Sequence, residues 1–237
     1  MNAAVRSGVA PLHITLSGLT ATLVAGLAIL LVQAWPAVQW PPHITVALSP
    51  LPTAPAIAPA PPFVLATTNP ADRANAEHCL AQAVYYEAGF QPPAGQRAIA
   101  QVVLNRVRDR NFPSTICGVV YQGWRRRTGC QFSFVCDGSL WRRPPTAEEM
   151  ASAEQVARQA LGGYVEASVG TATHYHSWRV SPDWTDTLIQ TARIGDHIFY
   201  RWPGNAGRPQ ALAARGDDAG MKLAEFIPHV TGRSSRA

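Results

Sequence analysis

The spacing of apolar residues changes once along the chain, from a helical period to an alternating one. Residues 75–88 place small and branched apolar side chains at helical spacing, with Asn75 as the expected N-cap and Gly89 as the expected stop. Residues 94–110 show a wider apolar face of the same period and predict a second helix.

A third helix is predicted over 147–161, because Thr146 and Glu149 form a capping-box pattern before it and Gly162 suits its C-terminal end. No further helical period follows this segment within the expected folded domain. The helices of the domain are therefore expected to precede its strands.

The later segments alternate instead. Residues 171–178, 188–194 and 197–202 predict strands, and Gly195-Asp196 suits the two-residue loop of a hairpin between the last two, with a type II′ turn. Helices followed by a small antiparallel sheet indicate an α+β fold.

The N-terminal region has a different pattern. Residues 14–35 form an uncharged, largely apolar run that is long enough to cross a bilayer, and Arg6 precedes it within a short segment, 1–13. The positive-inside tendency then leaves 1–13 in the cytoplasm and the bulk of the chain outside it, in a single-pass bacterial inner-membrane protein with a periplasmic domain. A cleaved signal peptide is the alternative, and it gives the same exported location.

Composition divides the rest of the chain. Ten of its 20 prolines lie between Pro36 and Pro70, so residues 36–71 are expected to form an extended Pro/Ala-rich spacer. The folded domain is then expected over 72–203, with a C-terminal tail over 204–237.

Charge and cysteine content limit the possible partners. The net charge of +5 favours anionic partners, but no nucleic-acid-binding motif is present, so no nucleic-acid partner is expected. An even number of cysteines in an exported domain predicts disulfides rather than a zinc site, and the four allow three pairings. The pairs we predict are Cys130 with Cys136 and Cys79 with Cys117.

Glu87 is the strongest candidate for chemistry. It projects from the apolar stripe of the first helix and lies in the last turn, where burial and the helix dipole both disfavour its anion. A carboxylic acid that stays protonated near neutral pH is what glycosidic cleavage requires. The alternatives are a structural ion pair with Arg97 or Arg106, or a solvated side chain.

His174, His176 and His197 come from the predicted strands and allow two interpretations. A zinc site is conceivable, but no metal-binding motif accompanies them, and a groove-lining or hydrogen-bonded role is preferred. We expect no metal and no cofactor. The many aromatic side chains nearby suit either sugar stacking or a core.

The stretches AQAVYYEAGFQPPAGQRAIAQVVLNRV, FPSTICGVVYQG, CQFSFVCDG, THYHSWRVSPDWTDTL and IGDHIFYRW occur in that order. Together they resemble the cell-wall hydrolases related to spore-cortex-lytic enzymes, and the resemblance covers roughly residues 76–202. It implies a lysozyme-like α+β fold, activity on peptidoglycan as a lytic transglycosylase or muramidase, and Glu87 as the catalytic residue.

The chain also departs from that family. Spore-cortex enzymes of this kind typically carry an N-terminal wall-binding module, where this chain has an apolar segment and a proline-rich spacer. This difference favours a role in wall remodelling in a vegetative cell rather than in a spore.

The expected reaction is cleavage between N-acetylmuramic acid and N-acetylglucosamine. One-glutamate transglycosylase chemistry is favoured, because Asp137 and Asp183 are only loosely placed as a second acid for hydrolysis. An inactive, membrane-tethered peptidoglycan-binding protein and a zinc amidase are the alternatives. The expected contacts to the sugars are Tyr85, Asn105, Gln131, Ser133, His174, His176 and Tyr200.

Overall fold

Helix α1, Pro70–Ala88, lies at the centre of the domain in this computed structural model, which describes residues 57–126 and 128–213. The helix begins five residues before the expected start, and its N-cap is Asn69 rather than Asn75. The Asn69 side chain accepts a hydrogen bond from the amide of Ala71 at 3.0 Å, and Pro70 at the first position has no amide hydrogen to leave unpaired. The predicted end before Gly89 is confirmed.

Helix α2, Pro93–Arg108, packs along α1. The prediction that it continues to residue 110 is wrong, because Asp109 leaves the helical conformation. Its carboxylate instead accepts hydrogen bonds from the Trp202 indole at 2.6 Å and from the Asn111 amide at 2.9 Å.

Four further α-helices occur among the described residues. They are α3, Ile116–Val120; α4, Ser139–Arg142; α5, Ala147–Leu161; and α6, Pro209–Ala213. The bounds predicted for α5, its capping box and its C-terminal glycine are all confirmed.

The sheet has three antiparallel strands in the order β1-β3-β2, so β3 is central. Strands β1, His174–Ser177; β2, Ile189–Ile194; and β3, His197–Arg201, are shorter at their ends than predicted. Ile194 pairs with His197, which confirms the two-residue loop, and Gly195 has the positive φ (56°) that its first position requires. The helix-then-sheet arrangement confirms the α+β class.

The core joins the helices to one face of the sheet. Its largest fully buried side chains include Leu80 and Val84 from α1, Ile99 and Leu104 from α2, and Phe199 from β3. Leu80 and Phe199 lie 119 positions apart in sequence and belong to one cluster, so the sheet is part of the same hydrophobic core as the helices.

The predicted domain start at Asp72 is wrong. Phe63 and Leu65 are buried at 1% and 3% exposure, and the Leu65 amide donates to the Leu161 carbonyl at 3.1 Å. The Arg108 guanidinium donates to the carbonyls of Pro61 and Pro62, both at 2.8 Å. Proline prevents regular structure here, but its carbonyl still accepts hydrogen bonds, so residues 57–71 belong to the domain.

The predicted domain end at Pro203 is also too early. Leu212 in α6 is buried at 2% exposure, and the Thr171 hydroxyl donates to the Gly207 carbonyl at 2.6 Å. The folded domain therefore extends at least to α6.

Several sequence predictions lie outside the described residues. They concern residues 1–13, the apolar run 14–35, the spacer over 36–56 and the tail beyond residue 213. Within 57–126 and 128–213, no helix is both long and apolar enough to cross a membrane.

Candidate active site

Glu87 lies in the last turn of α1, beside the first strand of the sheet. Its side chain is partly buried, and its Oε2 accepts a hydrogen bond from the Tyr175 hydroxyl at 2.9 Å. Tyr175 projects from β1 toward the helices, and its ring contacts His197 and Phe199 of the neighbouring strand. The end of the helix and one strand thus hold the carboxyl group between them.

Burial raises the pKa of the Glu87 carboxyl above its ordinary value of 4.5. The Tyr175 hydrogen bond and the charge of Arg106 lower this pKa, the charge of Asp137 raises it, and the net shift is upward. The direction is the one predicted from the position of Glu87 on the apolar stripe. A raised pKa favours the protonated form that a general acid needs.

Arg106 packs over Tyr175, the hydrogen-bond partner of Glu87, with only 3% of its surface exposed. Its Nε donates to the Thr173 carbonyl at 2.7 Å, and its guanidinium packs over the rings of Phe112, Phe132 and Tyr175. Its Nη1 is buried and has no hydrogen-bond partner among the described residues. This cation favours the glutamate anion that remains after proton donation.

The alternative of an ion pair with Arg97 is excluded. Arg97 Nε binds Glu166 Oε2 at 2.9 Å, on another side of α2. Arg106 does act on Glu87, as a buried charge packed against Tyr175.

A short loop closed by a disulfide borders the site. The Cys130–Cys136 bond closes it, and the predicted second bond, Cys79–Cys117, joins α1 to α3; both pairings are confirmed. Phe134 of this loop stacks on Tyr86, with ring centroids 4.6 Å apart, and Tyr86 immediately precedes Glu87.

Two predicted sugar contacts, Gln131 and Ser133, belong to this loop. Gln131 is partly exposed, and its backbone amide donates to the backbone carbonyl of Gln122 at 2.9 Å. Ser133 is exposed, and its backbone carbonyl accepts hydrogen bonds from the amides of Cys136 at 3.0 Å and Asp137 at 2.9 Å. The structure therefore places both on the loop that packs against the turn containing Glu87.

Three other predicted contacts, His174, His176 and Tyr200, share the opposite face of the sheet from Tyr175, because neighbouring residues of a strand alternate in direction. His176 Nδ1 donates to the Ser177 carbonyl at 2.8 Å, so its Nε2 accepts from the Tyr200 hydroxyl at 2.9 Å. Trp184 contacts all three rings. They form an aromatic cluster on the face of the sheet turned away from Tyr175.

The three histidines considered for zinc do not converge. His197 pairs with Ser177 and lies on the Tyr175 face, opposite to His174 and His176. Burial lowers the pKa of His174 to about 4, with a further contribution from the charge of Arg106. Within the described ranges, no group of three or more histidine, cysteine or acidic side chains is placed to hold a metal ion.

The prediction that Asn105 contacts substrate is wrong. Its side chain is buried at 1% exposure and donates to the carbonyls of Gly170 and Ala172, while its oxygen accepts from Gln101. All of these bonds join α2 to the segment before β1, so Asn105 is structural.

Tyr85 lies on a different side of α1 from Glu87. It borders a cavity of about 260 Å³ between α1, the start of α2 and α5, together with Phe90 and Gln96. Burial raises the pKa of the Tyr85 hydroxyl, and so does the charge of Glu149, which belongs to the capping box of α5. The structure thus separates Tyr85 from the acid that it was predicted to accompany.

Sequence reasoning missed the roles of two residues that act on the Glu87 carboxyl, Tyr175 and Arg106. Tyr175 was one aromatic residue among many, and Arg106 was considered only as an ion-pair partner. The alternation of the strand provided one signal, because it placed Tyr175 on the opposite face from His174 and His176.

An α+β domain in which one partly buried carboxyl group with a raised pKa is held by a tyrosine hydroxyl defines a site for general-acid chemistry. Comparison with known proteins finds a matching family model. Residues 90–200 match the family model described as Cell Wall Hydrolase, a range that begins three positions after Glu87.

The chain is 32% identical over 120 residues to the spore cortex-lytic enzymes of Halalkalibacterium halodurans and of Bacillus subtilis. Each alignment covers 51% of this chain, and 33% and 35% of the respective relatives, so the chain spans about a third of the length of these relatives.

Among solved structures, the catalytic domain of the Bacillus cereus SleB protein is 32% identical, with 54% of this chain and 91% of that domain covered and a TM-score of 0.44. The catalytic domain of the germination-specific lytic transglycosylase SleB from Bacillus anthracis is 31% identical, with coverage of 54% and 94% and the same TM-score. Residues 90–200 thus resemble the cell wall hydrolase family, and the chain is similar in sequence to spore cortex-lytic enzymes.

Proposed function

We propose that this protein cleaves the glycan strands of peptidoglycan at the β-1,4 bond between N-acetylmuramic acid and N-acetylglucosamine, with Glu87 as the acid. The observation that carries the proposal is the Glu87 carboxyl itself. It is hydrogen-bonded by Tyr175 and has a raised pKa, in a chain whose residues 90–200 match the Cell Wall Hydrolase family model. We further propose that the α+β domain has a lysozyme-like arrangement.

The proposed reaction uses one carboxyl group twice. Glu87 gives its proton to the glycosidic oxygen as the bond from that oxygen to C1 of muramic acid breaks. The 6-hydroxyl oxygen of the same muramic acid then bonds to C1, and its proton passes to the Glu87 carboxylate. The product is a 1,6-anhydro sugar, and the acid is regenerated. If water attacks in place of the 6-hydroxyl, the outcome is that of a muramidase.

Tyr175 and Arg106 support this cycle. Between the two proton transfers Glu87 is an anion, and the tyrosine hydroxyl and the buried guanidinium both favour that form. Gln131 and Ser133, on the disulfide-closed loop, are the proposed contacts to sugar hydroxyl and N-acetyl groups. We propose that the aromatic cluster of His174, His176 and Tyr200 contacts the glycan strand away from the cleaved bond.

The test is digestion of purified sacculi, with products identified by mass spectrometry. The wild-type protein is expected to release soluble fragments with anhydromuramic ends, and Glu87→Gln is expected to release none while still binding sacculi. Glu154→Gln is the matched control, because it removes only a surface ion pair with Arg158 on α5. It should retain activity.

The same experiment separates the alternatives. Binding without any product would identify an inactive peptidoglycan-binding protein. Release of free peptides that stops with a chelator would identify a zinc amidase. A Glu87→Gln variant that remains active, or that is inactive because it unfolds, would overturn the assignment of the acid.

The location is also a proposal. We propose that residues 14–35 anchor the protein in a bacterial inner membrane and that the catalytic domain lies on the periplasmic side. The support is the uncharged apolar run and the two disulfides, which persist in oxidising compartments.

A further inference from the structure

Asp137 directly follows the disulfide-closed loop. This loop packs against two residues near Glu87, Arg106 and Tyr86. Phe132 packs against the Arg106 guanidinium at 5.4 Å, and Phe134 stacks on Tyr86 at 4.6 Å. The Cys130–Cys136 bond joins the two ends of the segment that carries these anchors. The residue after Cys136 is therefore held at the end of a loop that packs against Tyr86, the residue before Glu87 in the sequence.

The Asp137 carboxylate is itself fixed. Its Oδ1 accepts a hydrogen bond from the Ser139 amide at 2.7 Å, and the Asp137 amide donates to the Ser133 carbonyl at 2.9 Å. Gly138 has a φ of 85°, which turns the chain so that the Ser139 amide points back at the carboxylate. The Arg142 guanidinium binds the Asp137 carbonyl and adds a positive charge nearby.

Resting on the proposed function, we propose that Asp137 is the second functional carboxylate of this site, a fixed anion that stabilises the positive charge developing on the sugar as the glycosidic bond breaks. It acts through its field, forms no bond to the sugar and transfers no proton. It is therefore compatible with one-glutamate chemistry.

The electrostatics of the two acids support this division of roles. Burial raises the pKa of Asp137, but the hydrogen bonds from Ser139, the charge of Arg142 and the Ser133 hydroxyl outweigh it, and the net shift is downward. The pKa of Glu87 is shifted upward, in part by the charge of Asp137. Two carboxyl groups with opposite shifts, one a proton donor and one an anion, are what cleavage through an oxocarbenium-like transition state uses.

The charged and titratable groups that act on Glu87 come from three elements: Arg106 of α2, Tyr175 of β1 and Asp137 of the loop. Only Asp137 raises the pKa of Glu87 by its charge. Removing that charge therefore shifts the titration of Glu87 in one direction, whatever else the substitution does.

The experiment compares Asp137→Asn with Asp183→Asn in the full-length protein. Asparagine keeps an oxygen for the Ser139 amide, so the loop should stay folded, and thermal melting checks this. Asp183 is exposed in the segment before β2, and its substitution removes the same charge without touching the loop.

Three readouts are expected to move for Asp137→Asn and not for Asp183→Asn. On sacculi, kcat falls by about tenfold to a hundredfold with little change in KM. The alkaline limb of the pH–rate profile moves to lower pH, because Glu87 loses its proton more readily. In carboxyl-carbon NMR of the free protein, Glu87 titrates at lower pH.

An unchanged Glu87 titration, or an Asp137→Asn variant as active as the wild type, would overturn the proposal. Equal losses of kcat in the folded Asp137→Asn and Asp183→Asn variants would overturn it as well. A wild-type protein with no activity on sacculi would refute the proposed function, and this inference with it. The two failures are distinguishable, because the wild type is inactive only when the proposed function is wrong.

Discussion

Glu87 lies among groups with opposite effects on its proton. Burial and the Asp137 carboxylate favour the neutral acid, whereas the Tyr175 hydroxyl and the Arg106 guanidinium favour the anion. An acid that must first give up a proton and then take one back needs both influences. A carboxyl group whose surroundings favour only the neutral form would not release its proton.

Tyr175→Phe tests the influence that favours the anion. Removing the hydroxyl takes away a hydrogen bond that lowers the pKa of Glu87, so this pKa should rise and the alkaline limb of the pH–rate profile should move to higher pH. The rate near neutral pH should fall, because the anion formed on proton donation is less stable. Tyr164→Phe is the control, since its hydroxyl lies 3.5 Å from Glu166, on the side of α2 that holds Arg97. A limb that stays in place in Tyr175→Phe would refute this role.

Glu87→Gln should change how stability depends on pH. The folded protein holds the Glu87 proton at pH values where an unfolded glutamate, with a pKa near 4.5, has lost it. The folded state then binds more protons, so this group makes the wild type less stable as pH rises from about 4.5 to the raised pKa. The melting temperature of Glu87→Gln relative to wild type should therefore increase over that range, and a constant difference would contradict it.

The two disulfides hold different kinds of structure. Cys79–Cys117 closes a segment with a sequence separation of 38 and ties two core helices together. Cys130–Cys136 has a separation of only 6, and it closes the loop that precedes Asp137. The first is expected to contribute mainly to stability, and the second mainly to the shape of the site.

Paired Cys→Ala variants separate these contributions. Loop-closure entropy predicts a loss of roughly 4 kcal/mol for Cys79 with Cys117 and roughly 2 kcal/mol for Cys130 with Cys136. Denaturant unfolding under non-reducing conditions measures both losses. Activity on sacculi, assayed where both variants are folded, should fall more for the second pair, and the reverse order would show that the loop does not shape the site.

The boundary of the folded domain is set by packing rather than by composition. Residues 57–65 contain prolines, yet Phe63 enters the core and the Arg108 guanidinium lies 4.8 Å from its ring. Such a segment is part of the domain even though it has no regular structure.

Phe63→Ala in the full-length chain tests this boundary. Removing a side chain that is 1% exposed should cost about 3–5 kcal/mol of folding free energy, because it leaves a cavity. Val64→Ala, at a residue that is 57% exposed, should change stability by no more than about 0.5 kcal/mol. Similar melting temperatures for the two variants would show that residues 57–71 belong to the spacer and not to the folded domain.

The topology of the whole chain is open to a separate test. The apolar run 14–35 predicts one membrane span with residues 36–237 outside the cytoplasm. A reporter that is active only in the periplasm, fused at the C-terminus, should be active. If only a reporter that works in the cytoplasm is active at this position, the prediction is refuted.

Short-range patterns in the sequence were enough to predict much of the fold and the acid. The capping box defined α5 to the residue, the two-residue loop defined the hairpin, and the apolar stripe of α1 identified Glu87. These features depend on hydrogen bonds and side-chain directions within a few residues, so the local sequence determines them.

Contacts between distant residues required the tertiary structure. Tyr175 lies 88 positions from Glu87, and no local pattern indicates that their side chains meet. Asn105 was predicted to contact substrate and is buried, because its environment depends on how α2 packs against the segment before β1. Helical period determines which face of a helix is apolar, whereas the packing angle decides which distant groups that face contacts. The sequence by itself therefore predicted the proposed acid and the type and order of the main elements, and only the tertiary structure decided the partners that act on the proton of that acid.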